Sequence, residues 1–392
     1  MTGSFFPENF RWGTATAAHQ IEGGNINNDW WRWEHTPGSG VAEPSGDACD
    51  SWHRWPDDVE LVAGLGFDHY RFSLEWSRIE PAPGEWSVAA MDHYRRVCDA
   101  LRERGVEPVV TLHHFTTPIW LADEGGWEKG PAVDRFAEFC HRAVSALGDS
   151  VGRVCTLNEP NIVATMGYVL GIFPPGRTDQ PAAEEVTANL VTAHRRAVEA
   201  VRAARPGVPV GLTLSMTDYQ AAEGGEQRVG HLRAVHEDPF LLATAGDDFL
   251  GVQTYTRMVI GPDGWIGPRP GVPVLPMGYE LWPDALEACL RRAWEVTGGG
   301  VPLWVTENGI GTDDDSQRVE FVRAALEGLQ RALADGIEVR GYTYWSLLDN
   351  FEWAFGYRPR FGLVDVDRST FERRPKASAR WLADVARNNR LP

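Results

Sequence analysis

Two glutamates, each just past an apolar, β-branched run, are the residues of this chain best suited to chemistry. Glu159 lies in the segment Thr-Leu-Asn-Glu-Pro (156–160), and Glu307 lies in Val-Thr-Glu-Asn-Gly (305–309). The segments are far apart in the chain, so only a closed fold can bring the two carboxyl groups together. Carboxyl groups that face each other across a pocket can cleave a glycosidic bond by double displacement. One of them protonates the leaving oxygen, and the other attacks the sugar carbon.

Short apolar runs alternate with amphipathic helical patterns along the whole chain. The predicted strands are Phe10–Thr16, Phe67–Leu74, Pro108–His114, Val151–Asn158, Val208–Leu214, Phe249–Tyr255, Leu303–Glu307 and Val339–Trp345. The predicted helices are Pro56–Leu65, Ala89–Arg104, Ala132–Leu147, Glu184–Ala204, Gln227–Ala245, Pro283–Val296, Gln317–Ala334 and Lys376–Ala386. This alternation predicts an α/β protein, a single-domain (β/α)8 TIM barrel over residues 1–392. A doubly wound open sheet has less support, because no strand precedes a Gly-x-Gly-x-x-Gly or P-loop turn.

The chain is longer than the about 250 residues of a minimal barrel of this kind. Three Gly/Pro-rich stretches are the expected places for the surplus: Gly23–Asp47, Ile162–Pro181 and Met258–Pro283. Each follows a predicted strand. They are therefore expected on the C-terminal face of the barrel, where such folds keep their active sites.

Composition narrows the classes of partner. The chain carries 37 basic and 55 acidic residues, a net charge of −18, with no run of Lys or Arg. Nucleic acid and anionic membranes both reward clustered positive charge, so neither is expected as a partner. The 17 Trp residues suit both a protein core and stacking on sugar rings.

The cysteines and the N-terminus indicate the compartment. The five Cys are odd in number and scattered, without a Cys-x-x-Cys pair, so a disulfide framework or a zinc site is not expected. Cys155 is interpreted as a buried strand thiol, not a nucleophile. The first residues lack a signal-peptide pattern, and no run of eighteen apolar residues occurs. A soluble cytoplasmic protein without a cofactor is expected, and its oligomeric state is left open.

Polar and aromatic side chains surround the two glutamates at the predicted strand ends. Such donors, acceptors and aromatic plates suit a polyhydroxylated ligand. They are Gln20, Arg71, His114, Asn158, Tyr255, Trp345, Glu352 and Trp353.

On these segments the chain resembles glycoside hydrolase family 1, the β-glucosidase family of retaining enzymes. The resemblance is colinear over nearly the full length. It rests on residues 10–13, 19–23, 70–73, 156–160, 306–309, 345–353 and 361–364.

The resemblance implies a β-glycosidase, most simply a β-glucosidase, that acts without a cofactor on a small β-glycoside. It implies that Glu159 is the general acid/base and Glu307 the nucleophile, with Arg71 and Tyr255 holding the charged form of Glu307. Asn158 would bind the sugar 2-hydroxyl. The other hydroxyls would be held by Gln20, His114, Glu352 and Trp353, above a stacking floor formed by Trp345.

The chain departs from the family pattern at three places. Gln253 and Thr254 stand where relatives usually carry Asn and Tyr. The family pattern therefore does not fix the hydrogen bonds beside the nucleophile, because Gln places its amide one methylene further out. The segment His113–Pro118 differs from the commoner Tyr-His-Trp-Asp-x-Pro, although His114 is kept. The chain is also short for the family, and the loss is expected after strands five and six, with a more open aglycone site as the consequence.

The resemblance also bears on substrate class. Glu352 would repel a sugar 6-phosphate, and the glutamate at position 159 disfavours the thioglucosidase branch. A sugar-binding pseudoenzyme, a transglycosylase and a metal-dependent barrel hydrolase remain as alternatives. Product analysis with added acceptor alcohols would distinguish a transglycosylase from a hydrolase. Loss of activity with chelators would indicate the metal-dependent hydrolase. The residues do not decide between glucoside, galactoside and fucoside, or name the natural aglycone.

Three further motifs receive plain structural interpretations. His113 and His114 are adjacent in a strand and face opposite sides, so they cannot form a two-ligand metal site. Trp30, Trp31 and Trp33 are predicted to pack within a loop. Asp313-Asp314-Asp315 is predicted to start a helix, because the spacing of a calcium loop is absent.

Overall fold

The computed structural model describes residues 5–392, and its centre is a closed barrel of eight parallel strands. The strands are β1 (Arg11–Ala15), β2 (His69–Ser73), β3 (Glu107–His113), β4 (Arg153–Asn158), β5 (Val210–Ser215), β6 (Phe249–Gln253), β7 (Leu303–Asn308) and β8 (Val339–Trp345). Each strand pairs with its neighbours in chain order, and β8 pairs with β1 to close the barrel. The predicted TIM barrel and all eight predicted strands are confirmed.

Helices connect successive strands, as parallel pairing requires. The long ones are Ser51–Leu65, Val88–Glu103, Pro131–Leu147, Gln180–Ala204, Glu226–His236, Ala285–Val296, Asp315–Ala334 and Ala377–Asn388. Shorter α-helices are Ala18–Ile21, Asp29–Glu34, Trp76–Ile79, Ile119–Asp123, Pro160–Ala164 and Asp238–Ala243. Three single 3-10 turns are Gly126–Glu128, Gly148–Ser150 and Trp353–Phe355. No helix within residues 5–392 has the length and apolar character needed to cross a bilayer.

Three helix predictions were wrong in their bounds, and one of them, Glu184–Ala204, begins four residues earlier, at Gln180. The predicted helix Gln227–Ala245 is two helices, and Pro239 lies in the first turn of the second one. Proline has no N–H to continue the first helix, so the chain restarts there. The predicted start at Pro56 is also wrong, because that helix begins at Ser51 and carries Pro56 inside it. The helix start near Asp314 is confirmed, since its carboxylate accepts bonds from the N–H groups of Ser316 and Gln317.

The three surplus segments lie after β1, β4 and β6 and contain structure of their own. The first includes the helix Asp29–Glu34, and the second includes a π-helical turn, Thr165–Val169. The third begins with the strand Arg257–Gly261, which pairs with Gly264–Trp265 and with Asp218–Ala221 from the loop after β5. A further antiparallel pair, Val364–Val366 with Arg373–Pro375, follows β8. Trp30 packs against Phe173 and Trp353 from two other loops, which confirms its interpretation as loop packing.

Apolar side chains fill the barrel near the N-terminal ends of its strands. Val109, Cys155, Phe249 and Trp304 form one buried cluster there, so Cys155 is a core thiol as predicted. All five cysteines are buried and unpaired. Because apolar side chains pack this end of the barrel, a polar site is expected at the C-terminal ends of the strands.

One buried arginine ties the segments after β7 and β8 to the helix Asp315–Ala334. Arg318 is 1% exposed and pairs with Asp315 at 3.0 Å. Its guanidinium donates to four carbonyls and one hydroxyl, those of Ile310, Thr312, Arg360, Phe361 and Tyr344, over 2.7–3.1 Å.

We expect Arg318→Met to lower the free energy of unfolding by about 3–5 kcal/mol, because it leaves buried acceptors without donors. Urea denaturation followed by circular dichroism measures this loss. Arg387→Met is the matched control, since Arg387 makes one exposed helical pair with Asp384 and should cost below about 1 kcal/mol. Equal losses in both variants would contradict the structural role of Arg318.

Candidate active site

A cleft of about 220 Å³ lies at the C-terminal ends of the barrel strands. Seven of the ten predicted site residues line it: His114, Glu159, Tyr255, Glu307, Trp345, Glu352 and Trp353. The other three, Gln20, Arg71 and Asn158, are buried and hydrogen-bonded to residues that line the cleft. The structure therefore brings the whole predicted set together.

Glu307, in β7, is held by three donors. Its Oε1 accepts bonds from Nη1 of Arg71 at 2.6 Å and from Nε2 of Gln253 at 2.9 Å. Its Oε2 accepts a bond from the hydroxyl of Tyr255. Burial raises the pKa of Glu307, while Arg71 and Tyr255 lower it by stabilising the charged form. The sequence identified the two donors, whereas the opposing effect of burial emerges from the structure.

Glu159 has a different environment, although it lines the same cleft. It follows β4 directly and takes a left-handed backbone conformation with φ 45°. That conformation costs a non-glycine residue about 1–2 kcal/mol. Its N–H donates to the carbonyl of Thr213 at 2.9 Å, and Pro160 starts the next helix. The left-handed turn is where the chain leaves the strand and enters the helix.

The side chain of Glu159 receives little help in carrying a charge. Its Oε1 is buried and has no hydrogen-bond partner within residues 5–392. Burial, followed by repulsion from Glu307, raises the pKa of Glu159 well above its usual value, and Arg71 opposes this only in part. Sequence reasoning named the repulsion, but burial is the larger cause. A proton shared by the pair therefore resides on Glu159, and Glu307 carries the charge.

Asn158 connects the Glu307 side of the cleft to His114. Its Oδ1 accepts bonds from Nη2 of Arg71 at 2.5 Å and from Nε2 of Gln253 at 3.0 Å. Its Nδ2 must therefore donate to Nε2 of His114, 3.2 Å away. Burial and the charge of Arg71 lower the pKa of His114 well below its usual value. The neutral ring then carries its proton on Nδ1, which has no partner among the described residues and can donate to a ligand.

Gln253 is the site residue that sequence reasoning did not select. It ends β6, and its amide donates to both Glu307 and Asn158. The available signal was its departure from the asparagine usual in the family. Its side chain spans the two acceptors, so the hydrogen bonds beside Glu307 include a bridge from Gln253 to Asn158.

We expect Gln253→Leu to lower kcat/KM for a β-glucoside about 10- to 100-fold, because a hydrogen bond to a charged group contributes about 1.5–3 kcal/mol. Steady-state kinetics measures the change, and circular dichroism checks the fold. Gln220→Leu is the control, since Gln220 lies in the outer strand Asp218–Ala221 and bonds Asp218 and Arg257. Unchanged kinetics in Gln253→Leu would show that Arg71 and Tyr255 alone stabilise the charged form of Glu307 sufficiently.

Aromatic plates and unpartnered polar atoms shape the rest of the cleft. The ring of His114 lies parallel to those of Trp345 and Trp353, with centroids 5.7 and 6.1 Å apart. Gln20 donates to Glu352 at 3.4 Å and to the carbonyl of Phe351 at 2.7 Å, which leaves its buried Oε1 without a partner among residues 5–392. Hydroxyl groups of a ligand would satisfy such atoms.

The state of Glu352 differs from that assumed in the sequence argument. Burial and the nearby charge of Glu307 raise its pKa to about 8. A carboxyl with this pKa holds its proton at neutral pH and can donate as well as accept a hydrogen bond. Its repulsion of a sugar phosphate is correspondingly weaker below pH 8.

The two adjacent histidines at the end of β3, His113 in the strand and His114 just after it, diverge as predicted. His113 packs against Trp127 and Phe136, and its ring nitrogens have no partner within the described part of the chain. His114 faces the cleft. Residues 5–392 contain no group of three or more His, Cys, Asp or Glu that could hold a metal ion.

A closed (β/α)8 barrel with two glutamates of unlike electrostatic environment in a cleft of aromatic plates defines the class of two-carboxylate glycoside hydrolases. The model of the family "Glycosyl hydrolase family 1" matches residues 2–244 and 267–391. The unmatched stretch between them contains β6, Gln253 and Tyr255. The match therefore breaks where the sequence departs from the family pattern.

Relatives and solved structures agree with the family model. Beta-glucosidase A of Thermotoga maritima is 33% identical over 440 aligned positions, covering 98% of each chain. A crystal structure of a beta-glycosidase is 48% identical, with a TM-score of 0.92, over 99% of this chain and 98% of that one. The Thermotoga maritima beta-glucosidase in complex with deoxynojirimycin is 32% identical, with a TM-score of 0.94, over 99% and 100%. The chain belongs to glycosyl hydrolase family 1 and is a glycoside hydrolase.

Proposed function

We propose that this protein is a retaining β-glucosidase, which releases terminal, non-reducing β-D-glucosyl residues, with Glu307 as nucleophile and Glu159 as general acid/base. One observation carries the assignment of roles. Glu307 accepts bonds from Arg71, Gln253 and Tyr255, while Glu159 has a buried oxygen without a partner among residues 5–392. Family membership and the names of the relatives support the reaction and the sugar.

The first half-reaction uses this difference. A carboxylate oxygen of Glu307 attacks the anomeric carbon, and the bond from that carbon to the leaving oxygen breaks. Glu159 transfers its proton to the leaving oxygen, so the aglycone departs as a neutral alcohol. The product is a glycosyl ester on Glu307, and Glu159 is left as a carboxylate.

The second half-reaction follows from the change in charge. Esterification removes the negative charge of Glu307, which is one cause of the raised pKa of Glu159. The pKa of Glu159 therefore falls, and its carboxylate can take a proton from water. As that proton passes to Glu159, the water oxygen bonds to the anomeric carbon and the ester bond from that carbon to Glu307 breaks. Glu159 is then protonated and Glu307 ionised, as before the reaction. Two inversions give a product with the β configuration.

Neighbouring groups act where charge develops at the sugar. Asn158 is hydrogen-bonded to Arg71 and Gln253 and would hydrogen-bond the sugar 2-hydroxyl. That hydrogen bond strengthens in the oxocarbenium-like transition state. The Nδ1 proton of His114 can serve a neighbouring hydroxyl. Gln20 and Glu352 bind further hydroxyls, while Trp345 and Trp353 provide the apolar faces on which a sugar ring stacks.

The first-formed anomer tests the reaction. Proton NMR during hydrolysis of 4-nitrophenyl β-glucoside should show β-glucose before mutarotation produces the α form. The 4-nitrophenyl α-glucoside is the control substrate and should not be cleaved. Initial release of α-glucose would contradict retention. Inactivity on β-glucoside, β-galactoside and β-fucoside, together with binding of glucose, would indicate a sugar-binding pseudoenzyme.

An open aglycone side is part of the proposal. The 440 positions aligned with the Thermotoga maritima relative exceed the 392 residues of this chain, so the relative has residues that this chain lacks. If they are missing from the loops after β5 and β6, the leaving-group side is shallower and discriminates little between aglycones. Similar kcat/KM for aryl glucosides and cello-oligosaccharides would support this, and a sharp preference for long oligosaccharides would contradict it.

We place the protein in the cytoplasm on the evidence of its cysteines. All five are buried and unpaired, which suits a reducing compartment. Fractionation of the producing cells, followed by activity measurement, tests this location. Activity in the secreted or periplasmic fraction would contradict it.

A further inference from the structure

The end of the barrel opposite the cleft has an open cavity of about 620 Å³. It lies at the start of β1, β3, β4 and β5, and its charged lining residues are four arginines and one glutamate: Arg11, Arg102, Arg153, Arg205 and Glu107. The other lining residues are glycine, valine and proline. On a chain with a net charge of −18, this arginine mouth is a local concentration of positive charge.

Arg153 is the least satisfied cation of the arginine mouth. Its side chain is 15% exposed, and its guanidinium lies over the ring of Trp304, 4.3 Å from the centroid. Glu107 approaches it only to 3.5 Å, and its buried Nε has no partner within residues 5–392. A guanidinium has five N–H donors, and leaving them unpaired away from bulk water costs free energy. Arg153 therefore has a buried donor for which residues 5–392 supply no acceptor.

The other three arginines converge on the same opening. Arg11 shares Glu107 with Arg153, at 3.8 Å. Arg102 and Arg205 donate to the carbonyls of consecutive residues, Ser150 and Val151, so these two side chains are also neighbours. Two carboxylates face the four guanidinium groups: Glu107 between Arg11 and Arg153, and the fully exposed Asp149 at 3.5 Å from Arg205. They cannot neutralise four positive charges. Burial lowers the pKa of Arg153, Glu107 opposes this, and repulsion from Arg11 adds to it.

We propose that the arginine mouth is a binding site for a phosphate group, carried either by inorganic phosphate or by a small phosphomonoester. The planar guanidinium fork matches the oxygens of phosphate and can bind two of them at once. A dianion also compensates more of the excess positive charge than chloride or a carboxylate does. The site is separate from the glucosidase cleft, and its ligand stabilises the folded barrel because the unfolded chain cannot assemble the four arginines.

Isothermal titration calorimetry of the full-length protein with inorganic phosphate tests the proposal, at constant ionic strength maintained with sodium chloride. Glycerol phosphate and acetate are titrated in parallel. We expect saturable binding of both phosphates, at least about tenfold tighter than that of acetate. Tighter binding of glycerol phosphate identifies a phosphomonoester as the ligand, and equal or weaker binding identifies free phosphate. Absence of saturable phosphate binding would overturn the site.

Variants locate the binding. Arg102→Gln combined with Arg205→Gln should weaken phosphate binding at least about tenfold and leave the kinetics on 4-nitrophenyl β-glucoside unchanged. Arg153→Met keeps an apolar side chain over Trp304 and should weaken phosphate binding further. Arg374→Gln, which removes an exposed arginine paired with Glu372 in the strand Arg373–Pro375, is the control and should bind normally. Unaltered affinity in the double variant, or competition of phosphate with the glucoside, would overturn the proposal.

Discussion

Replacing Glu307 by glycine is expected to reduce hydrolysis of 4-nitrophenyl β-glucoside by several orders of magnitude, because the covalent route through the glycosyl ester is lost. Added azide should restore part of the rate by occupying the space of the missing carboxylate. The product would then be α-glucosyl azide, since a single displacement inverts the configuration. Rate measurement with and without azide, with NMR of the product, gives both results.

The environment of Glu307 supplies the control for this experiment. Arg71 and Gln253 lose their shared acceptor in the glycine variant, so a folding defect could imitate the loss of activity. Thermal unfolding and binding of glucose separate the two explanations. A folded variant that keeps more than about one per cent of the native rate without azide would contradict the nucleophilic role.

The second large effect is expected from Glu159→Gln, and it should depend on the leaving group. For cellobiose, whose leaving alcohol needs a proton, kcat/KM should fall about 10²- to 10⁴-fold. For 2,4-dinitrophenyl β-glucoside, which leaves readily as an anion, kcat/KM should change little. Azide should now give β-glucosyl azide, because Glu307 still forms the ester. Equal losses with both substrates would contradict the role of Glu159 as acid.

The pH profile provides an independent test of Glu159. The acid must be protonated, and its raised pKa keeps it so to higher pH than a free glutamate. Activity should therefore fall as the pH rises through that pKa, and this basic limb should disappear from kcat/KM in Glu159→Gln. Glu352, whose pKa is raised to about 8, could also produce a basic limb, so Glu352→Gln is the matched variant. A basic limb that survives in Glu159→Gln but not in Glu352→Gln would assign it to Glu352.

The barrel was predictable because its signals are local and repeated. Apolar β-branched runs, such as those before Glu159 and Glu307, alternate with helical periodicity eight times, and a parallel sheet follows from that order. Helix bounds were less predictable. Pro56 suggested a first turn but lies inside the helix that starts at Ser51, because the chain before it continues the same helical geometry.

The membership of the site was predictable from position, whereas its electrostatics were not. Residues that end parallel strands meet at one edge, and the family pattern named them. The bridge made by Gln253 depends on the distance across β4, β6 and β7, which a single sequence does not contain. Likewise, the sequence pairs Glu159 with a like charge, but the extent of burial that dominates its pKa follows only from how closely the loops pack.

The order of strands in the barrel also has a kinetic consequence. Gln20 follows the first strand and bonds Asn350, 330 residues later, just beyond the last strand. Trp345 ends that last strand and lines the cleft, so the cleft is incomplete until β8 pairs with β1. Closing so long a loop is entropically costly, and such contacts form late. During refolding, recovery of glucoside cleavage should therefore lag behind recovery of helical circular dichroism, which makes enzymatic turnover a reporter of barrel closure.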